Sequence, residues 1–191
     1  PVTSDVYCTR TNNAERGAAG REGPDAANPR APNRFGHIVR WTEAGDYAAT
    51  RFRWEIFQLA GDPRHADPRV RGNLGGDLYA SPDGLVIDAR GVLWVQTDVS
   101  PSVLLEDDHR IYGNNQMLAL DPGSREARRF LTGPRGCEVT GACSTPDGRT
   151  MFVNIQHPGD GPVGSWPDGG TSTPRSSSVV VTKDDGGVIG T

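Results

Sequence analysis

Between Gly133 and Gly141 the chain reads Gly133-Pro134-Arg135-Gly136-Cys137-Glu138-Val139-Thr140-Gly141, which sets a guanidinium, a thiol and a carboxylate within four residues. An arginine is shaped to clamp a phosphoryl or carboxylate group through paired hydrogen bonds. A glutamate can supply oxygen to a hard cation such as calcium, which takes about 6–8 such ligands. A second carboxylate stands in a similar position: Asp83, in Ser81-Pro82-Asp83-Gly84, precedes the apolar run 85–88 as Glu138 precedes 139–144. Blander readings remain open for each. Glu138 could bond loop amides, Asp83 could be a Pro-Asp-Gly turn residue, and Arg135 could serve a salt bridge.

These residues need elements to place them. Alternating apolar and polar residues, bounded by Gly, Pro, Asn and Asp, predict strands over 5–13, 36–41, 50–59, 85–88, 92–98, 115–120, 126–131, 139–144, 150–156 and 177–182. The strands fall into three copies of one unit, each up to four strands long, the first copy lacking its first strand and the third its last. This predicts an all-β fold: a β-propeller fragment of about two and a half to three four-stranded blades with long loops. Loops entering first strands and leaving second strands then open on one face. Asp83, Glu138, Asn12, Asn13, Asp98, Gln156 and His157 are expected at that mouth, and the lookalike Asp147 in its hairpin turn at the far end. The Pro-, Asn- and Arg-rich loop 14–34 is expected to present Asn28 and Arg30 toward a site. His37 reads as a structural strand residue, and the acidic run 106–109 as a solvated loop.

Composition narrows the choice. The 191 residues include 25 Gly and 15 Pro, which suits many short strands between turns. A net charge of −4 without a basic stripe argues against a nucleic-acid partner. Lys183 is the only lysine, so the cationic side chains are arginines, which permits anion binding. No apolar run approaches the ~18–20 residues of a membrane span. The chain starts at Pro1 inside a strand pattern, which predicts that an N-terminal portion is missing. The three cysteines, Cys8, Cys137 and Cys143, are each expected to be small buried residues. Cys137 and Cys143 bracket one predicted strand, roughly 20 Å apart, too far for a disulfide.

Several segments together resemble the PhoX-type alkaline phosphatases: Thr11-Asn12-Asn13, Asp25-Ala26-Ala27-Asn28-Pro29-Arg30, Gly36-His37-Ile38, Ser81-Pro82-Asp83-Gly84, Gln96-Thr97-Asp98, Gly113-Asn114-Asn115-Gln116-Met117, Cys137-Glu138-Val139-Thr140-Gly141, Asn154-Ile155-Gln156-His157-Pro158-Gly159 and Trp166-Pro167-Asp168-Gly169. The resemblance spans essentially the whole chain and corresponds to the C-terminal part of a longer protein. It implies a bacterial β-propeller phosphatase, exported by the twin-arginine route to the periplasm or beyond, that releases inorganic phosphate from phosphomonoesters at a cluster of iron and calcium ions. It implies that Glu138 is a metal ligand, and that the cysteine ligand of iron lies upstream of this chain, so that Cys137 is not that ligand; Asp83, placed level with Glu138 by the repeat, is the second expected metal ligand. The missing N-terminal part of the propeller is the implied partner, and without it this piece is expected to be weakly active or inactive. Arg135 is the expected catalytic group, stabilising charge in phosphoryl transfer. Two other readings stand beside this one. Propellers with a carboxylate-held calcium also open lactones and esters, and a truncated product could be non-catalytic.

Overall fold

A computed structural model describes residues 5–46, 48–160 and 164–191. Pro1-Val2-Thr3, Tyr47 and part of the 160–175 loop lie outside the described residues. The fold is all-β, with eleven strands among the described residues: β1 (Asp5–Arg10), β2 (His37–Glu43), β3 (Phe52–Leu59), β4 (Gly75–Gly76), β5 (Pro82–Ile87), β6 (Leu93–Thr97), β7 (Gln116–Leu120), β8 (Glu126–Thr132), β9 (Glu138–Ser144), β10 (Thr150–Gln156) and β11 (Ser177–Thr182). They form three sheets in the orders β1-β2-β3, β4-β8-β7-β6-β5 and β11-β10-β9. All neighbours are antiparallel except the short β4–β8 pair. β5 packs against both β1 and β9, so the inner strands of the three sheets adjoin.

The middle sheet is covered on both faces, and its sequence shows why. In β6 every residue is buried. Leu93 and Val95 belong to a core shared with the first sheet, with Phe35, Ile38, Phe57 and Tyr79. Trp94 points the other way, into a core with Val139, Met151, Val153 and Ile155 of the third sheet. A strand buried on both faces reads as a continuous apolar run. The outer sheets alternate instead. In β10, Met151, Val153 and Ile155 are buried while Phe152, Asn154 and Gln156 are exposed. The far faces of the terminal sheets are therefore apolar in part and open: Phe152 and Val180 are paired in register on one, Phe52 and Trp54 stand on the other beside Trp41.

The structure departs from the sequence expectations at particular elements. The charged run 106–109 leads into a 3-10 helix, Asp107–Tyr112, whose His109 and Tyr112 are buried; Phe35 packs on both rings. Cys8 and Cys143 are exposed and only Cys137 is buried, all three as free thiols. Strand parity explains this, since Cys143 lies opposite Phe152 on the open face. β5 begins at Pro82, so Asp83 is inside the strand rather than ahead of it. His37 is fully buried. It meets Asn33 Nδ2 through Nδ1 at 3.0 Å and Ala27 O through Nε2 at 2.8 Å, and burial lowers its pKa.

Trp94 joins the second and third sheets. Its ring meets Phe130 edge-on at 5.0 Å, and its indole N–H donates to Asp88 Oδ2 at 3.1 Å. Trp94→Ala is expected to cost about 3–5 kcal/mol of stability, read as a lower midpoint in guanidinium unfolding followed by far-UV circular dichroism.

Candidate active site

Asp83 owes its placement to an irregularity in β5. The β5–β6 ladder pairs Pro82 with Thr97 and resumes at Leu85 with Val95, so Asp83 and Gly84 together oppose Gln96. Such a bulge leaves backbone groups without ladder partners and re-aims a side chain. A Cβ at Gly84 would meet the end of the Gln96 side chain, which would have to shift to make room. The freed groups are bonded from the first sheet. Thr9 Oγ1 donates to Asp83 O at 2.7 Å, and Thr11 Oγ1 donates to Asp83 Oδ1 at 2.8 Å. Asn12 Nδ2 donates to Ser81 Oγ at 3.2 Å. Ser81 is buried with φ 51, and its carbonyl accepts from Asp98 N at 2.9 Å.

Glu138 opens β9 and is buried. Its carboxyl is held above the usual carboxylate range by burial first, then by the negative charges of Asp98 and Asp83. Asp98 is raised likewise by burial and by Asp83. Glu138 and Asp98 thus both lie within reach of the Asp83 charge. His157 is the counterweight: its Nε2 lies 3.3 Å from Glu138 Oε2, and its charge opposes the rise at both Glu138 and Asp98. His157 sits at the strained φ of 36 just beyond β10. Gln156, exposed, pairs with Glu138 in the ladder.

Asn115 ties two of these loops together. It is buried; its Nδ2 donates to Val99 O at 3.0 Å and Cys137 O at 2.9 Å, while its Oδ1 accepts from Thr97 Oγ1 and Val99 N. One side chain thus fixes the residues flanking Asp98 and the residue before Glu138. Thr9, Thr11, Ser81 and Asn115 were not singled out from the sequence as site residues. For Thr11, Ser81 and Asn115 the sequence signal is their place in the segments Thr11-Asn12-Asn13, Ser81-Pro82-Asp83-Gly84 and Gly113-Asn114-Asn115; Thr9 stands only in the strand predicted over 5–13.

Arg135 lies in the tight turn before Glu138 with its side chain exposed. Its carbonyl accepts from Gly159 N at 3.0 Å, which joins its loop to the turn that carries His157. Among the described residues its guanidinium makes no ion pair. Asn28 and Arg30 make no hydrogen bond to Asp83, Asp98 or Glu138 among the described residues. Arg30 is buried and donates to the carbonyls of Ala60, Val70, Arg71 and Gly36 and to Asn33 Oδ1. Asn28 is buried and accepts from Asn33 Nδ2 at 3.0 Å. Both hold the 14–34 loop onto the first sheet. Asn13 exchanges backbone bonds with Asn33 in the same anchor. Asp147 accepts from Thr145 Oγ1 at 2.6 Å in its own turn and lines a cavity with Asp88 and Arg90.

The acidic cluster fits a hard cation in its chemistry, since its donors are carboxylate oxygens and two of the three are raised by burial first and then by neighbouring negative charge. Among the described residues Glu138 and Asp98 form no ion pair with arginine or lysine. The fit in number is partial, because no group of three or more His, Cys, Asp or Glu among the described residues is gathered closely enough to hold one ion.

Cys137 is buried with its thiol pushed up to about 12 by burial first, and the Glu138 charge adds to this. Cys8 and Cys143 are expected to react with a disulfide reagent within minutes at mildly alkaline pH, and Cys137 only on unfolding; absorbance of the released thiolate counts them. For Glu138 and Asp98 the folded pKa is raised. Their stabilising contribution is present below the ordinary carboxylate pKa and is lost as pH rises through the raised folded value. In the cation-free chain, Glu138→Gln is therefore expected to raise the melting temperature near neutral pH and to flatten the decline in stability above the ordinary carboxylate range, read by scanning calorimetry in chelator.

A sequence model of the family described as "Alkaline phosphatase PhoX" matches residues 1–159. Nothing among curated proteins matches the chain. A solved structure, "Pseudomonas fluorescens PhoX in complex with vanadate, a transition state analogue", superposes with a TM-score of 0.91 at 43% sequence identity, covering 100% of this chain and 33% of that protein. The chain thus spans about a third of the length of the solved relative. With that match along most of its length, the chain belongs to the PhoX alkaline phosphatase family.

Proposed function

We propose that this chain is part of an enzyme that hydrolyses phosphomonoesters and releases inorganic phosphate. The observation that carries this reading is the likeness, along the entire chain, to a PhoX structure that holds vanadate, a transition-state analogue. The acidic cluster at Asp83, Asp98 and Glu138, with Arg135 on the adjoining loop, supplies residues suited to the chemistry.

In this reading Glu138 and Asp83 hold calcium and iron, with Asp98 beside them. When bound, such ions supply Lewis acidity toward phosphoryl oxygens. Arg135 binds the transferring phosphoryl group and balances the charge spread over its oxygens. Its exposure and its lack of an ion partner among the described residues leave its donors free for an anion. His157, in the tautomer with hydrogen on Nε2, orients Glu138 by donating to Oε2. The turn at Gly159 then keeps the Arg135 loop and the His157 turn in one register.

Residues 1–191 form a partial propeller in this account, with the three sheets as blades around a channel lined by β5 and β9. The open apolar faces, with Phe152 and Val180 at one end and Phe52 and Trp54 at the other, support further blades as neighbours, supplied by the rest of the same propeller. No described helix is long and apolar enough to cross a membrane; the place of action proposed is the periplasm or the exterior. The uncovered faces and the incomplete ligand set favour a low or absent activity for this chain alone.

A full-length PhoX polypeptide bearing these residues is expected to turn over p-nitrophenyl phosphate with added calcium and iron. Arg135→Ala in that polypeptide should lower kcat/KM ~100-fold or more, the scale for loss of a donor to developing charge, with Arg135→Lys in between. Undiminished turnover by Arg135→Ala would remove the arginine from the mechanism, and no turnover by the parent would remove the phosphatase reading.

A further inference from the structure

The third sheet leaves open a place that the middle sheet fills. In the orders β5-β6-β7-β8 and β9-β10-β11, β7 and β11 both stand third from the inner strand. β8 pairs antiparallel with the far edge of β7. Among the described residues, β11 has β10 as its sole neighbour. The segment after β11 does not cover this edge. It turns where Gly186 N donates to Lys183 O at 3.0 Å, and runs back to the β9–β10 turn, where Ile189 N donates to Gly148 O at 2.9 Å.

The free edge carries none of the devices that keep strands apart. Ser177-Ser178-Val179-Val180-Val181-Thr182 contains no proline, glycine or charge, and its ladder with β10 holds one register from Ser177 to Thr182. Sheets that avoid a further strand place a charge, a proline or a bulge within the edge. Ser178, Val180 and Thr182 are exposed, Val180 at 59%. The flanking charges select the occupant. Arg175 precedes the strand, and Lys183-Asp184-Asp185 follow it. Lys183 is paired with Asp185, and Asp184 has no ion partner among the described residues. A second β11 laid antiparallel about a two-fold axis at Val180 sets Val180 opposite its own copy and Ser178 opposite Thr182. It also brings Arg175 beside the acidic turn of the other copy, at both ends. An axis one residue earlier, at Val179, would instead set Arg175 opposite Lys183, and like charges directly opposite are destabilising.

We propose that β11 is a strand-addition edge whose occupant is β11 of a second copy of this chain, joined about a two-fold axis at Val180. The pairing uses the backbone edge of the sheet and does not depend on the carboxylate cluster. Sedimentation equilibrium of the 191-residue chain reads it. A short strand pair is a small interface, so a reversible monomer–dimer equilibrium is expected, with dimer favoured as concentration rises. Val180→Lys sets two ammonium groups against each other and is expected to weaken dimerisation ~10-fold or more, with the fold checked by far-UV circular dichroism. Thr182→Lys repeats the test if Val180→Lys does not fold. Phe152→Lys, on the same open face but on β10, is expected to leave the equilibrium unchanged. With Cys8→Ser and Cys143→Ser in place, Val180→Cys is expected to cross-link to a covalent dimer on mild oxidation and Val181→Cys is not, since only the former meets its own copy across the axis. A wild type that stays monomeric at every concentration overturns the inference, as does association that grows past the dimer. Equal weakening by Phe152→Lys and Val180→Lys overturns it too, because the copies then meet through the open face. A dimer in which Val180→Cys does not cross-link overturns the axis.

Discussion

Burial of the Glu138 and Asp98 carboxyls, with the negative charge of Asp83 beside them, is the constraint around which this structure is arranged. Burial and like charge both raise Glu138 and Asp98. A fold selected for stability alone would separate these groups or place an arginine between them. Here the nearest balancing group is the imidazole of His157. The arginines are used elsewhere: Arg30 on backbone carbonyls, and Arg125 on Glu55 and Phe57 O. Concentrated negative charge without a fixed cation suits a site whose charge is completed by a ligand.

The parts that keep these carboxylates in place are side-chain bonds crossing between sheets, rather than the ladders within them. The middle sheet supplies Asp83 at a bulge and Asp98 just past β6. The first sheet reaches Asp83 through Thr9 and Thr11. The third sheet supplies Glu138 and His157, and Asn115 locks the flanks of Asp98 to Cys137. The apolar cores on either side of β6 set the spacing of the sheets, and the polar bonds set the aim of the carboxylates. Sheets spaced by apolar cores and pinned by polar bonds hold the charged groups in a preorganised arrangement.

Much of this was legible in the sequence, because strand periodicity is local. β10 alternates cleanly and lies where predicted. What was not legible depends on distant neighbours. At the Asp83 bulge Gln96 lies over Gly84, and Thr9 of β1 and Thr11 just beyond it bond the Asp83 carbonyl and carboxylate; nothing in Ser81-Pro82-Asp83-Gly84 encodes these neighbours. Arg30, amid prolines and asparagines, looks like an exposed side chain, yet its carbonyl partners at Ala60 and Val70 are far along the chain. His109 and Tyr112 are three residues apart on one side of a 3-10 helix, a period that a charged run conceals. Cys8 and Cys143 follow strand parity, which a residue-type rule for cysteine overrides.

Anomalous diffraction from crystals of a full-length PhoX polypeptide, soaked in terbium or calcium, tests the central claim most directly. The account predicts an anomalous peak bonded to Glu138 and Asp83 oxygens, with Asp83 Oδ1 still on the Thr11 hydroxyl. Full occupancy of metal elsewhere, with Glu138 and Asp83 bonded only to protein groups, would contradict it.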